Sequence, residues 1–233
     1  MERIIGVNAV TEALLNKEKN IEKLELFNGL KGETVQKLKD LASKRNIKIF
    51  YTGKKIENSQ GVAVYISNFE YYKEFDEVYE NLARKDRSLI LILDEIQDPR
   101  NFGAIIRSCE CFGVGGIIIQ NRNNVKVTDT VVKSSVGAIE YVDIAQVTNI
   151  SDTIDKLKKY GYFVYSTQAD GQYHYQQVEY PNKVAIVLGN EGNGIRKKVR
   201  EHCDTSLKIH LNGKINSLNV SVACGILLAK ISE

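Results

Sequence analysis

The chain has 233 residues, 43% of them hydrophobic and 26% charged, with 32 Lys and Arg against 29 Asp and Glu. That is enough apolar material for one or two packed domains, no run is long enough to span a bilayer, and a net charge of +3 does not by itself announce a nucleic-acid binder. The start, MERIIGVNAV, lacks the apolar stretch of a signal peptide. Cys109, Cys111, Cys203 and Cys224 form no C-x-x-C pair and read as reduced thiols of a cytoplasmic protein. His174, His202 and His210 are scattered, so no metal site is expected.

From the front, periodicity predicts a helix over 8–15, a strand over 23–27, an amphipathic helix over 33–44, and strands over 47–51 and 62–66. This alternation describes a small α/β domain over residues 1–68, which carries 12 Lys and Arg against 8 Asp and Glu. Lys44, Arg45, Lys48, Lys54 and Lys55 are its candidate phosphate contacts, although charges on a solvated face would look the same. Residues 69–86 reverse the sign, 3 against 6, and read as a linker or a short exposed helix. Tyr71, Tyr72, Phe75 and Tyr79 fall there at helical spacing and predict one side packed on its own domain.

Residues 87–233 read as a second domain. A continuous apolar strand over 89–93 leads through a polar turn into a helix carrying Asn101, Gly103 and Arg107. Another apolar strand follows over 116–119, the pattern of a parallel sheet covered on both faces. An arginine on such a helix is usually a snorkelling surface residue, but ligands of open α/β sheets bind at the C-terminal turns of strands, close to Asn101. The strand beginning at Val184 ends in Gly189, Asn190, Glu191, Gly192, Asn193 and Gly194. The spacing is G-x-x-G-x-G rather than a dinucleotide fingerprint, no Gly-Lys-Ser/Thr follows, and a central carboxylate favours a neutral or cationic ligand over a phosphate. The last helix has apolar Leu218, Val222, Ile226 and Ala229 at 3.6-residue spacing, predicted to be its buried side. Ser217, Asn219 and Ser221 at its start are either a cap, with Ser217 accepting from the first turn, or face a ligand.

The strings N-F-G-A-I-I-R, L-G-N-E-G-N-G and I-H-L with S-L-N-V-S-V-A resemble, in order, the three motifs of the SpoU/TrmH (SPOUT) ribose 2′-O-methyltransferases. The opening I-I-G-V-N-A-V-T-E-A-L resembles the RNA-binding domain of that family's 23S rRNA guanosine branch. The resemblance implies a C-terminal SPOUT α/β domain with a parallel sheet and a deep trefoil knot, preceded by an α/β/α sandwich of the ribosomal protein L30e-like kind. It implies S-adenosylmethionine as cofactor, without a metal. Cofactor contacts would fall on Gly189, Ile209 and Leu218, with Leu188, Asn190, Leu211 and Ser217 beside them. Arg107 would carry the catalytic charge, positioned with the ribose and the cofactor by Asn101, Glu191, Ser217 and Asn219. A guanidinium remains charged in water, so its role is to stabilise a developing alkoxide rather than to act as a simple base.

The implied substrate is a guanosine ribose of 23S rRNA, and the implied assembly is a homodimer through the catalytic domains. Ribose methylation of tRNA, an antibiotic-resistance methylase, and a non-catalytic RNA-binding ribosome-assembly factor are the alternatives. All five polar motif residues are present, which opposes the last. Two positions depart from the family pattern: Ser59 stands where a histidine is frequent before Gln60-Gly61, and His210 where a proline is usual. Without the fixed φ of proline, the loop at His210 is expected to bind cofactor more weakly or slowly.

Overall fold

The computed structural model describes residues 2–54, 59–66, 71–215 and 217–233. The front domain runs β1 (Glu2–Ile5), α1 (Val7–Leu15), β2 (Ile21–Phe27), α2 (Glu33–Lys44), β3 (Lys48–Thr52) and β4 (Val62–Ile66). The last five match the predicted elements to within two residues at each end, and β1 is an additional strand. The sheet order is β1-β4-β2-β3, with β4 antiparallel to both neighbours and β2 parallel to β3. The crossovers β1–α1–β2 and β2–α2–β3 advance in the same direction across the sheet, and the right-handed rule places their helices on one side.

The core agrees. Val10 and Leu14 of α1 and Leu38 of α2 share one cluster with Ile4, Leu24, Leu26 and Val64. Among the described residues the expected α/β/α sandwich is therefore two layers, helices on a sheet. Arg45 was a candidate phosphate contact, but its guanidinium donates to the carbonyls of Ala13, Leu14, Asn16 and Lys19 at 2.6–3.3 Å. It satisfies orphan carbonyls at the end of α1, so its charge serves the fold. Lys55 lies outside the described residues.

The acidic segment expected as a linker or exposed helix belongs to the second sheet. It forms β5 (Tyr72–Lys73) and α3 (Phe75–Ala83), with Phe75, Val78 and Leu82 buried against that sheet's strands. The reason is the apolar spacing 75, 78, 82, one helical stripe among exposed carboxylates. The chain continues through β6 (Ser88–Asp94), α4 (Pro99–Cys111), β7 (Gly116–Gln120), α5 (Asp129–Ser134), β8 (Ile144–Val147), α6 (Ile150–Lys159), β9 (Phe163–Thr167) and β10 (Tyr173–His174). It ends with β11 (Lys183–Gly189), α7 (Lys197–His202), β12 (Thr205–Lys208) and α8 (Val220–Ile231).

All eight strands pair in parallel, in the order β10-β12-β9-β11-β6-β7-β8-β5. Strand order turns back at β6/β11: β7 and β8 extend to one side, β9 and β12 to the other. Such a reversal leaves a crevice beyond the C-terminal strand ends.

Helix α8 buries Val220, Cys224, Leu227, Leu228 and Ile231, whereas Leu218 precedes it and Val222 is 50% exposed. The predicted stripe is thus the outer one. A helix apolar on nearly every side gives periodicity no means of choosing between stripes. The cysteines are free; Cys109 and Cys224 are buried, and Cys111 is exposed. Burial and a hydrogen bond to Cys224 push the Cys109 thiol well up. Among the described residues no helix is long and apolar enough to cross a membrane.

The two domains meet along β1 and α1: α5 packs on β1, where Arg3 pairs with Asp129 at 3.5 Å, and Tyr141 donates to Glu12 of α1. Lys19 and Glu140 form an ion pair at 2.5 Å with side chains 0% and 1% exposed, and Asn16 Nδ2 donates to the other Glu140 oxygen at 3.1 Å.

Candidate functional site

Helix α4 begins where Asp98 Oδ1 accepts from the backbone N–H groups of Arg100 and Asn101 at 2.8 Å each, with Pro99 in the first turn. This cap fixes the direction in which Asn101 leaves the helix. Its side-chain N–H donates to Glu191 Oε1 at 2.5 Å, and its Oδ1 accepts from Asn219 Nδ2 at 3.0 Å. Asn219 caps α8, accepting from Ser221 N at 2.9 Å and Ser221 Oγ at 2.6 Å. The cap expected from Ser217 is supplied by Asn219, because the helix starts two residues later than Ser217 would cap. Three of the five predicted catalytic residues, Asn101, Glu191 and Asn219, are thereby joined.

The loop after β11 folds on itself. Asn190 and Gly194 pair by backbone hydrogen bonds of 3.1 and 2.9 Å. The Asn190 side chain accepts from Gly192 N at 2.8 Å and donates to the Glu95 carbonyl at 2.9 Å. A Cβ on Gly189 would sit 2.3 Å from the Gly194 carbonyl carbon, so that glycine is needed for the loop to close on itself.

Behind this loop, beyond the ends of β9, β11 and β12, lies a cavity of about 530 Å³. Leu188, Gly189, Asn190, Ile209, Leu211, Ser217 and Leu218, the seven candidate cofactor residues, all line it. So does Glu191. Sequence reasoning missed Thr167 at the end of β9, Gln168 and Asp170 after it, and Val220 and Leu227 of α8, which also line it. The size suits a small-molecule ligand. Apolar side chains, exposed backbone, two carboxylates (Asp170 and Glu191) and one guanidinium (Arg200) suit a ligand with a flat apolar ring and charges of both signs.

Arg107 is placed elsewhere. It is exposed, does not line the cavity and makes no ion pair among the described residues. Six residues separate it from Asn101, roughly 9 Å along the helix. Gly103, one turn earlier on the same face, packs against α5, where a Cβ would sit 1.9 Å from Ser134 Oγ. That face of α4 points away from the cavity of its own chain. Lys44, Lys48 and Lys54 are exposed, as a phosphate contact requires.

Beneath the loop is a pair that sequence reasoning also missed. Asp94, fully buried at the end of β6, accepts from Arg196 N at 2.9 Å and from Arg196 Nε at 2.8 Å. Arg196 Nη2 continues to Gln120 Oε1 at 2.7 Å. The Asp94 hydrogen bond raises the Arg196 pKa against the opposing cost of burial. A carboxylate ending the apolar run Leu89–Leu93 was the available signal.

A profile described as the SpoU rRNA Methylase family matches residues 88–229. The chain belongs to the SpoU methylase family. A second profile, RNA 2′-O ribose methyltransferase substrate binding, matches residues 3–72 of this SpoU methylase. YacO of Bacillus subtilis, assigned to the TrmH family of tRNA/rRNA methyltransferases, is 36% identical over 98% of this chain and 94% of its own. An AdoMet-bound rRNA methyltransferase from Sinorhizobium meliloti superposes with a TM-score of 0.79 at 22% identity, covering 99% of this chain and 86% of that one. The TrmH/SpoU tRNA modifying enzyme of A. aeolicus superposes with a TM-score of 0.57 at 27% identity, covering 67% of this chain and 80% of that one.

Proposed function

We propose that the protein is a cytoplasmic enzyme that methylates a ribose 2′-hydroxyl of 23S rRNA, at a guanosine, with S-adenosylmethionine as methyl donor. The observation that carries this reading is the cavity beyond the ends of β9, β11 and β12, lined by all seven candidate cofactor residues and flanked by the Glu191–Asn101–Asn219 chain. The fit rests on that lining: apolar walls for an adenine ring, loop backbone for its polar edge, and carboxylates for a cationic donor. Bound S-adenosylmethionine supplies an electrophilic methyl group for in-line displacement.

The residues of this chain supply alignment and charge. Alignment alone contributes roughly 7–11 kcal/mol in favourable systems. Glu191 is held by Asn101 at the cavity edge, where its carboxylate attracts the cationic donor. Asn219 fixes the start of α8 beside it, and Ser217 lines the cavity just before that helix. Arg107 stabilises the oxygen as the ribose loses its proton. Arg107 lies off the cavity of its own chain, which fits an active site completed by a second copy. The outer stripe of α8, where Val222 is 50% exposed on a helix packed beside α4, is the surface proposed for that homodimer. The C-terminal segment is proposed to thread the knot of the SPOUT fold.

The front domain favours rRNA. The rRNA methyltransferase neighbour is matched along 99% of this chain, the tRNA modifying enzyme along 67%. Incubation with labelled S-adenosylmethionine and, separately, 23S rRNA or bulk tRNA tests the choice. Label in 23S rRNA is expected, and label confined to tRNA would replace the substrate.

A further inference from the structure

Among the described residues, with both helices on one side, the other face of the front sheet is left to side chains alternate to the core, and at its β1 end Arg3 is tied to Asp129 of α5 at 3.5 Å. Strand register sets them in rows: Arg3, Tyr65, Lys23 and Lys48 across β1, β4, β2 and β3, then Ile5, Ala63, Glu25 and Phe50. Ile5 and Ala63 are small or buried, at 6% and 0% exposure, and form a shallow floor. Phe50, on the edge strand, is 47% exposed. Lys23 Nζ stands 4.1 Å from the centroid of Tyr65 and 5.5 Å from that of Phe50. The single carboxylate in these rows, Glu25, is engaged: it accepts from Tyr65 Oη at 2.8 Å and lies 3.7 Å from Lys23.

A sheet face on which aromatic rings alternate with lysines is a poor match to a protein partner, because lysine is depleted in protein interfaces. It suits single-stranded RNA, whose bases stack on rings while phosphates meet lysines. We infer that this face is a single-stranded RNA platform, with Phe50 and Tyr65 as stacking rings and Lys23 and Lys48 as phosphate contacts. The inference rests on the RNA-methylation reading and deepens it, since it names the surface and the strandedness of the RNA it holds. Lys48 belongs to the platform, whereas Lys44, at the end of α2, lies in the helix layer behind the sheet.

The test uses the full-length protein and a fluorescein-labelled single-stranded oligoribonucleotide of about ten nucleotides. Affinity is read by anisotropy across a salt series, and S-adenosylhomocysteine binding reports an intact catalytic domain. Phe50→Ala is expected to weaken RNA binding about five- to a hundredfold, the range of a lost base stack. Phe50→Tyr restores it and Phe50→Leu does not, which separates stacking from mere apolar area. Lys23→Ala lowers the salt slope by about 1, while Lys37→Ala in the helix layer changes nothing.

Unchanged affinity in both Phe50→Ala and Lys23→Ala, with the wild type still binding RNA, overturns the platform. A change in sedimentation weight rather than RNA affinity also overturns it, because the face would then hold protein. Absence of RNA binding in the wild type, with S-adenosylhomocysteine still bound, would overturn the RNA reading itself and the platform with it.

Discussion

The Asn101 side-chain amide donates to Glu191 Oε1 at 2.5 Å, joining residues 90 positions apart, and accepts in return from Asn219 at 3.0 Å. An amide is the group this place requires, since it offers a donor to a carboxylate and an acceptor to a second amide. Asn101→Asp sets a carboxylate against Glu191, and Asn101→Ala leaves both partners loose. Each is expected to lower single-turnover methyl transfer about ten- to a hundredfold, the scale of a lost hydrogen bond to a charged group. Cofactor affinity should change much less. A larger loss in affinity than in rate would make Asn101 a binding residue instead.

Arg107→Ala should unfold at the wild-type temperature and bind S-adenosylhomocysteine normally, yet transfer no measurable methyl group. Exposure of the side chain predicts the first two results, and alkoxide stabilisation predicts the third. Near-normal turnover by this variant would remove Arg107 from the mechanism.

Glu140→Ala leaves Lys19 buried without its carboxylate, and breaking such a pair costs about 3–5 kcal/mol. The double variant Lys19→Met, Glu140→Ala should regain most of that loss, because no buried charge then remains. Urea unfolding of the two variants measures both terms. Equal destabilisation in the two would show that packing, not charge, holds the domains together.

Arg196→Ala strips Asp94 of its guanidinium while leaving it the Arg196 backbone N–H. The expected loss is about 2 kcal/mol, below the range for a fully buried pair, because the Arg196 side chain is 37% exposed. Because Arg196 follows the glycine loop, cofactor binding should weaken as well, which titration calorimetry reads. Arg196→Lys keeps the charge but not the two-nitrogen fork and should recover only part.

Local pattern made the front domain legible, since helix and strand periods there alternate cleanly and turns separate them. The seven cavity residues were legible because two motifs, L-G-N-E-G-N-G and I-H-L with S-L-N-V-S-V-A, carried them together. Two things were hidden. Arg45 looked like its lysine neighbours, and only the fold shows that the end of α1 brings four carbonyls to it. Asp94 and Arg196 are 102 positions apart, and no local spacing announces their contact. Helix α8 misled for another reason, its two apolar stripes being equally good helical faces.

The most direct test of the central claim is the chemical position of the transferred methyl group. Ribose 2′-O-methylation blocks the hydroxyl that alkali uses to cleave RNA. After incubation with labelled S-adenosylmethionine and 23S rRNA, alkaline digestion should leave the label in one alkali-resistant dinucleotide, absent with Arg107→Ala. Label released in mononucleotides would place the methyl group on a base and contradict the account.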